Sequence, residues 1–326
     1  MANKKISLSI IIPIYNRTQF VNYAINSIIN SNISQELIEV IVITNIDIQI
    51  NIKNEYITIK IIKTDLTDLL PKIKIGVQEA CSNIIAFLED DDIWINNKVS
   101  HVIAIFNKYP KVNFYHNSNI QFRGFPKENH YEYLDDNFLK LSSSVIKNSP
   151  KLVKTYASKF NCGYNLSSIA IRRNLVLSHL KLFDESQTYG VDSLIFLIAL
   201  AYGNYLYVDK NIQTLIRIHE YNSFRYGNNN NYIDFHPISN LLYSFKDVSG
   251  TTFQKLLYWY YYLKIVAIKS RDINASKIEL LNLTFLYIKY SLKLKLMPSV
   301  WIIVTIIFRL ISYNVYTSVL LYYHKS

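Results

Sequence analysis

Along the first two-thirds of the chain, short unbroken apolar runs alternate with stretches in which apolar residues recur every three or four positions. Residues 7–14 form an apolar run without alternation, the pattern of a strand buried on both faces of a parallel sheet. Thr18 offers a helix N-cap, and Phe20, Val21, Ala24, Ile25, Ile28 and Ile29 follow at helical spacing. Residues 37–43 and 57–62 read as further strands and 69–81 as a helix, and 83–88 is a strand that runs directly into an acidic cluster. Residues 96–109 look helical, 112–122 extended, 123–150 polar and without period, and 167–172 extended again. A strongly apolar helix is expected over 191–202, then short strands over 205–209 and 214–219. This rhythm predicts a doubly wound α/β fold with a mainly parallel sheet, which binds ligands beyond the carboxyl ends of its strands.

The Asn run at 228–231 marks a boundary. We expect a catalytic domain over 1–225, a linker over 226–250, and a helical appendage over 251–326 with helices near 251–270, 274–294 and 299–323. Residues 300–323 have the ~20-residue length that a bilayer span needs. Arg309 and Asn314 interrupt them, and a charge at mid-helix costs ~2.5–3.5 kcal/mol on insertion scales. A helix lying in the interface or packed on its neighbours is therefore expected.

Composition adds three points. A chain of 326 residues with 50% hydrophobic content can bury a full core. Cys81 and Cys162 are far apart and lack metal-ligand spacing, which leaves no support for a disulfide framework or a zinc site and fits a reducing compartment. The lysines at positions 4 and 5 before the first apolar run have the outline of a signal peptide, but Pro13 and Asn16-Arg17-Thr18 stand where a cleavage site should be, so the run reads as a strand. Of the net charge of +11, residues 251–326 contribute +8, with ten basic residues against Asp272 and Glu279. Such a tail suits an anionic membrane surface or a solvated helix face. It carries no recognised nucleic-acid module, and no nucleic-acid partner is expected.

Glu89-Asp90-Asp91-Asp92 carries the chemistry, because four adjacent carboxylates repel one another unless a cation or solvent compensates them. Hard carboxylate oxygens suit Mg2+ or Mn2+, which are bound by one or two carboxylates together with substrate phosphates. On the run alone a solvated loop, or a helix start capped by Asp92, remains an alternative.

Phe87-Leu88-Glu89-Asp90-Asp91-Asp92-Ile93-Trp94 resembles the acidic motif of family 2 glycosyltransferases. Ser9-Ile10-Ile11-Ile12-Pro13-Ile14-Tyr15-Asn16-Arg17 is similar to that family's opening strand and turn, and Gly76 stands at its usual distance before the acidic motif. Tyr189-Gly190-Val191-Asp192 resembles the segment that ends in the family's catalytic base, and Arg217-Ile218-His219-Glu220-Tyr221-Asn222-Ser223 its closing element. The resemblance covers residues 7–223 and implies a GT-A fold and inverting transfer of a sugar from a nucleotide-diphosphate donor, a UDP-sugar first, to an acceptor hydroxyl of a glycan or lipid-linked molecule. It also implies Mn2+ or Mg2+ held by Glu89, Asp91 and His219, with Asp192 as the base. Donor contacts are expected from Pro13, Tyr15, Asn16, Arg17, Asn45, Lys72, Asp90, Asp91 and Arg217, and Trp94 is a candidate for the acceptor pocket or the core.

Two departures bear on activity. Val191 replaces the acidic residue that usually precedes the base, and Thr44-Asn45 stands where the family often has an Asp that reads uracil. They keep open a second reading, a nucleotide-sugar-binding protein with weakened turnover. Asp192 could equally cap the following helix, and Arg217 and His219 could make structural hydrogen bonds. A nucleotidyltransferase is disfavoured because Pro13-Ile14-Tyr15-Asn16 is no Gly-rich phosphate loop. The expected location is cytoplasmic, at the inner face of the cell membrane.

Overall fold

The computed structural model describes residues 5–15, 18–31, 33, 36–50, 54–95, 97–124, 143–147, 162–185, 190–219, 262, 266, 276–293, 298 and 300–311. The chain divides into two compact units, Met1–Ser244 and Phe245–Ser326. Asn16, Arg17 and Tyr189, the boundary at 226–250 and most of the helix expected at 251–270 lie outside the described residues.

Among the described residues, the first unit forms a nine-stranded sheet flanked by helices. Strands β1 (Ile6–Pro13), β2 (Leu37–Thr44), β3 (Ile57–Lys63) and β4 (Ile84–Phe87) pair in parallel in the order β3-β2-β1-β4. The order continues through β8 (Ile169–Arg172), β6 (Val112–Phe122) and β9 (Tyr205–Arg217) to β5 (Ile93–Trp94), with β7 (Ser144–Lys147) also on β9. Because β8 is antiparallel to both β4 and β6, and β6 is parallel to β9, six of the nine strands run one way.

Helices α1 (Thr18–Ile29), α2 (Leu69–Glu79) and α3 (Lys98–Lys108) cover the parallel half, and α6 (Val191–Tyr202) packs near β6. The apolar face of α1, with Val21, Ala24, Ile25 and Ile28, joins Ile10, Ile12, Val40, Val42 and Ala86 in the core. Strand β3 is the edge, and its exposed Lys60 and Lys63 deter pairing with another chain.

Helix α2 approaches the sheet closely at Gly76, where an added Cβ would come within 2.4 Å of the Ile11 side chain. That approach seats the first turn of α2, including Lys72, over the ends of β1 and β2. Gly76→Ala should therefore destabilise the protein by ~1–3 kcal/mol, the usual cost of overpacking a filled core. Urea unfolding checks this, and an unchanged midpoint would contradict it.

The structure amends several sequence expectations. The strands expected over 205–209 and 214–219 are one strand, β9, which ends at Arg217, because register shifts opposite Asn117–Asn119 accommodate the polar Lys210-Asn211 pair without ending the ladder with β6. The two-residue β5 and the short helices α4 (Arg173–Leu177) and α5 (Lys181–Glu185) had no periodic signal. Strand β7 lies within the stretch expected to be loop.

In the second unit, α7 (Lys277–Lys293) and α8 (Val300–Ile311) fall within the helices expected there. Tyr262 stacks on Tyr290 of α7 at 5.5 Å between ring centroids. Among the described residues, no helix is long and apolar enough to cross a membrane.

Candidate functional site

The carboxyl ends of β1, β2 and β4 lie side by side, since Pro13 pairs with Ile43 and Ile11 with Phe87. The segments leaving these three strands meet there, namely Ile14-Tyr15, Asn45 and the acidic turn 89–92. The Tyr15 backbone N–H donates to Asp90 Oδ2 (2.8 Å), while the Tyr15 side chain is 52% exposed. Lys72 Nζ donates to the Ile14 carbonyl (2.6 Å) and to Asn45 Oδ1 (2.7 Å), joining the ends of the first two strands. Burial lowers the pKa of Lys72, and the nearby Asp90 carboxylate partly counters that. Asn45 Oδ1, expected to read a nucleobase, thus already accepts from Lys72.

Each member of the acidic run has its own role. Asp91 Oδ2 lies 2.8 Å from His219 Nε2. Asp92 accepts from the Arg217 backbone N–H at Oδ1 (3.0 Å) and from Asn165 Nδ2 at Oδ2 (2.8 Å). Glu89 Oε2 accepts from the same Asn165 Nδ2 at 3.3 Å. Asp90, Asp91 and Asp92 are almost fully buried. Burial first, then the repulsion of Asp92 and Asp91, holds the Glu89 carboxyl well above the usual carboxylate range. Burial and then Asp91 push Asp92 up to about 7, against the hydrogen bonds from Ser167, Asn165 and Arg217. A cluster in which protons compensate crowded negative charge is one that a cation can also compensate.

Arg217 differs most from its expected role. Its guanidinium is buried between the rings of Phe20 and Phe122, 4.4 and 4.6 Å from their centroids. Nε donates to the Asp91 carbonyl (2.9 Å) and Nη1 to the Gly124 carbonyl. Arg217 therefore holds the backbone of the acidic turn in place. Trp94 is likewise buried, with its Nε1–H donating to the Ser167 carbonyl (2.8 Å) and Lys98 Nζ over its ring at 4.5 Å. Its place is in the core.

Asp192 sits in the first turn of α6, whose N-cap is Gly190, so it is not the cap itself. Its Oδ2 accepts from the Asn165 backbone N–H (2.9 Å) and its Oδ1 from the Ser193 backbone N–H (2.7 Å). It also lies near enough to Glu89 to raise that residue's pKa. Asn165 thus contacts Glu89 and Asp92 through its side chain and Asp192 through its backbone. It adopts a positive φ of 63°, a conformation Asn tolerates better than most residues.

Sequence reasoning missed Asn165. It also missed the turn Leu166–Ser168 beyond it, where Ser167 Oγ accepts from the Glu89 backbone N–H (2.9 Å) and the Ser167 carbonyl accepts from both Trp94 and Lys98. The only signal available was an Asn-Leu-Ser-Ser string ahead of a strand.

Behind this turn, the Nε2–H of buried His116 donates to the Tyr164 carbonyl (3.1 Å). Burial holds its pKa down to about 4. The unfolded chain takes up a proton near pH 6.5 and the folded chain does so only near pH 4, so His116 makes stability fall as pH drops through that window. The loss should approach about 3 kcal/mol. His116→Gln removes it, so the stability difference between wild type and variant in urea should shrink by about that amount from pH 7 to 4; a constant difference would contradict the assignment.

For a divalent cation, Asp91 with His219 is a preformed oxygen-and-nitrogen pair. Among the described residues no group of three or more His, Cys, Asp or Glu side chains is arranged to enclose a metal. The residues fit an ion such as Mg2+ or Mn2+ only if substrate phosphates complete its shell, which is how such ions are usually held.

The model of glycosyl transferase family 2 matches residues 9–171, half of the chain, and the protein belongs to that family. No curated protein matches the chain by sequence. Among solved structures, S. aureus TarS 1–349 in complex with UDP-GlcNAc superposes with a TM-score of 0.56 at 11% identity, covering 88% of this chain and 90% of that one. The same protein in complex with UDP gives a TM-score of 0.54 at 10% identity with the same coverage. At that identity the likeness establishes the fold, a mostly parallel GT-A sheet. The chain is a glycosyltransferase by family.

Proposed function

We propose that the protein transfers a sugar from a nucleotide-diphosphate donor, a UDP-sugar first, to an acceptor hydroxyl with inversion, using Asp192 as general base and a divalent cation at the acidic turn. The observation that carries this reading is the cluster at the acidic turn after β4, where Asp91 meets His219 and Asn165 links Glu89, Asp92 and Asp192. Asp91, His219 and Glu89 would hold the cation together with the donor's phosphates. When bound, the cation neutralises charge on the departing diphosphate.

The other steps belong to side chains of this chain. Exposed Tyr15 is the proposed nucleobase contact, with Pro13 and the hydrogen-bonded Asn45 and Lys72 as further donor contacts. Asn16 and Arg17, which follow β1 in sequence, are further proposed donor contacts. Arg217 keeps the acidic turn in register. Asp192 takes the proton from the acceptor hydroxyl, whose oxygen attacks the anomeric carbon from the face opposite the diphosphate as the bond to the diphosphate breaks. A glycan or lipid-linked acceptor fits a chain whose basic tail docks on an anionic membrane surface at the inner face of the cell membrane.

The test of donor binding is a thermal shift. UDP should raise the melting temperature in the presence of Mn2+ or Mg2+ and lose that effect in excess EDTA, because anionic phosphates and carboxylates repel without a cation. An equal shift in EDTA would contradict the cation assignment, and no shift with any nucleoside diphosphate would contradict the donor class.

Asn165 holds both halves of the site. Asn165→Asp keeps its shape and its tolerance of positive φ but places a carboxylate against Glu89 and Asp92 where an amide donated. Transfer should fall at least ~10-fold, since loss of a hydrogen bond to a charged group costs ~1.5–3 kcal/mol. Turnover within a few-fold of wild type in a folded variant would remove Asn165 from this role.

A further inference from the structure

Helix α7 buries Leu280, Thr284, Tyr287 and Ser291 on one side. Ile278, Leu281, Phe285 and Leu292 stand on the other, with exposures of 72, 51, 65 and 65%. Spacings of three, four and seven residues put these four in a single row along the helix. Single exposed apolar residues need no explanation, but a contiguous apolar row marks an interaction surface.

The row has basic margins. At 100° per residue, exposed Lys289 and Lys293 flank it on one side and exposed Lys277 on the other, while Glu279 is the helix's one acidic residue. Lys293 Nζ lies over the Tyr290 ring at 5.3 Å. The heptad-like spacing would also suit a second copy of the chain. That pairing would bring lysine margins together in a segment that already carries +8, a like-charge cost that an anionic surface turns into attraction.

On α8, by contrast, Ile306 is buried and Ile307 is half exposed.

We propose that the Ile278-Leu281-Phe285-Leu292 face of α7, with its lysine margins, lies in the surface of an anionic lipid bilayer. This rests on the reading of the tail as a membrane-docking segment and assigns the contact to one helix face. A helix with an apolar row and basic edges settles parallel to the membrane plane, its apolar side chains among the headgroup and acyl boundary. No spanning segment is needed for such attachment.

The experiment is co-sedimentation of the full chain with phosphatidylcholine vesicles, with and without phosphatidylglycerol. Four proteins are compared: wild type, Phe285→Ser/Leu292→Ser, Lys289→Gln/Lys293→Gln, and Ile307→Ser. Because the altered side chains are exposed, melting temperatures should stay close to wild type.

Wild type should bind only vesicles containing phosphatidylglycerol, and less in high salt. The double Ser variant should lose at least ~10-fold in partitioning, in line with the burial of apolar side chains in the interface. The lysine variant should lose roughly fivefold per lysine. Ile307→Ser should match wild type.

If the double Ser variant binds like wild type while Ile307→Ser does not, the tail still docks but the α7 assignment is overturned. If wild type ignores anionic vesicles, both the docking reading and the assignment fall. A dimer in solution that the double Ser variant splits, with vesicle binding unchanged, would identify the occupant as a second copy and overturn the lipid proposal.

Discussion

Asp192→Asn should lower sugar transfer by ~100- to 10,000-fold, the range for a positioned proton transfer, with donor affinity within a few-fold of wild type. The carboxylate is held in the first turn of α6 by two backbone N–H groups, from Asn165 and Ser193, so its position does not depend on its own charge alone. Asn keeps the size and one accepting oxygen but cannot take a proton. The substitution therefore separates the base from a structural anchor. Val191 leaves Asp192 without the acid that commonly precedes it in the family. Calorimetry with UDP and Mn2+, paired with single-turnover transfer, measures the two quantities. A folded variant with normal donor binding and near-normal transfer would move the base elsewhere, to Asp184 or Glu185 first.

Asp91→Ala should be as damaging by a different route. It removes the anionic partner of His219 and one of the groups proposed to hold the cation, so donor affinity and turnover should fall together. The turnover loss should reach at least the ~100- to 1,000-fold seen when one preorganised electrostatic contact to a developing charge is removed. Fold stability should change little in comparison, because Arg217 grips the backbone of the turn and not the Asp91 carboxylate. Transfer assays across a Mn2+ titration check this. A variant that reaches wild-type turnover at the same Mn2+ concentration would place the cation on other residues.

The contrast between Asp91 and Arg217 shows what the sequence could convey. Unbroken apolar runs identified β1, β2 and β4 within a residue or two, and the apolar helix over 191–202 matches α6 at both ends. The acidic turn at the end of β4 was equally legible, because four consecutive carboxylates are unusual whatever surrounds them. What a side chain meets across the fold was not legible. Arg217 looks like a phosphate ligand until Phe20 and Phe122 are seen to enclose it, from positions distant in sequence. Trp94 and Lys72 are drawn inward in the same way by Ser167, Ile14 and Asn45. Asn165 is a polar residue in an unpatterned stretch, and its three carboxylate contacts come from two separate segments. The break expected within β9 failed because periodicity does not register a ladder that continues through a bulge.

Cation-assisted transfer from a nucleotide-diphosphate sugar is tested most directly by the release of nucleoside diphosphate from a panel of nucleotide-sugars, measured with Mn2+ or Mg2+ and again in excess EDTA. At least one donor, a UDP-sugar first, should give release that EDTA abolishes and that Asp91→Ala and Asp192→Asn both suppress. Release that continues undiminished in EDTA, or that both variants support at the wild-type rate, would contradict it.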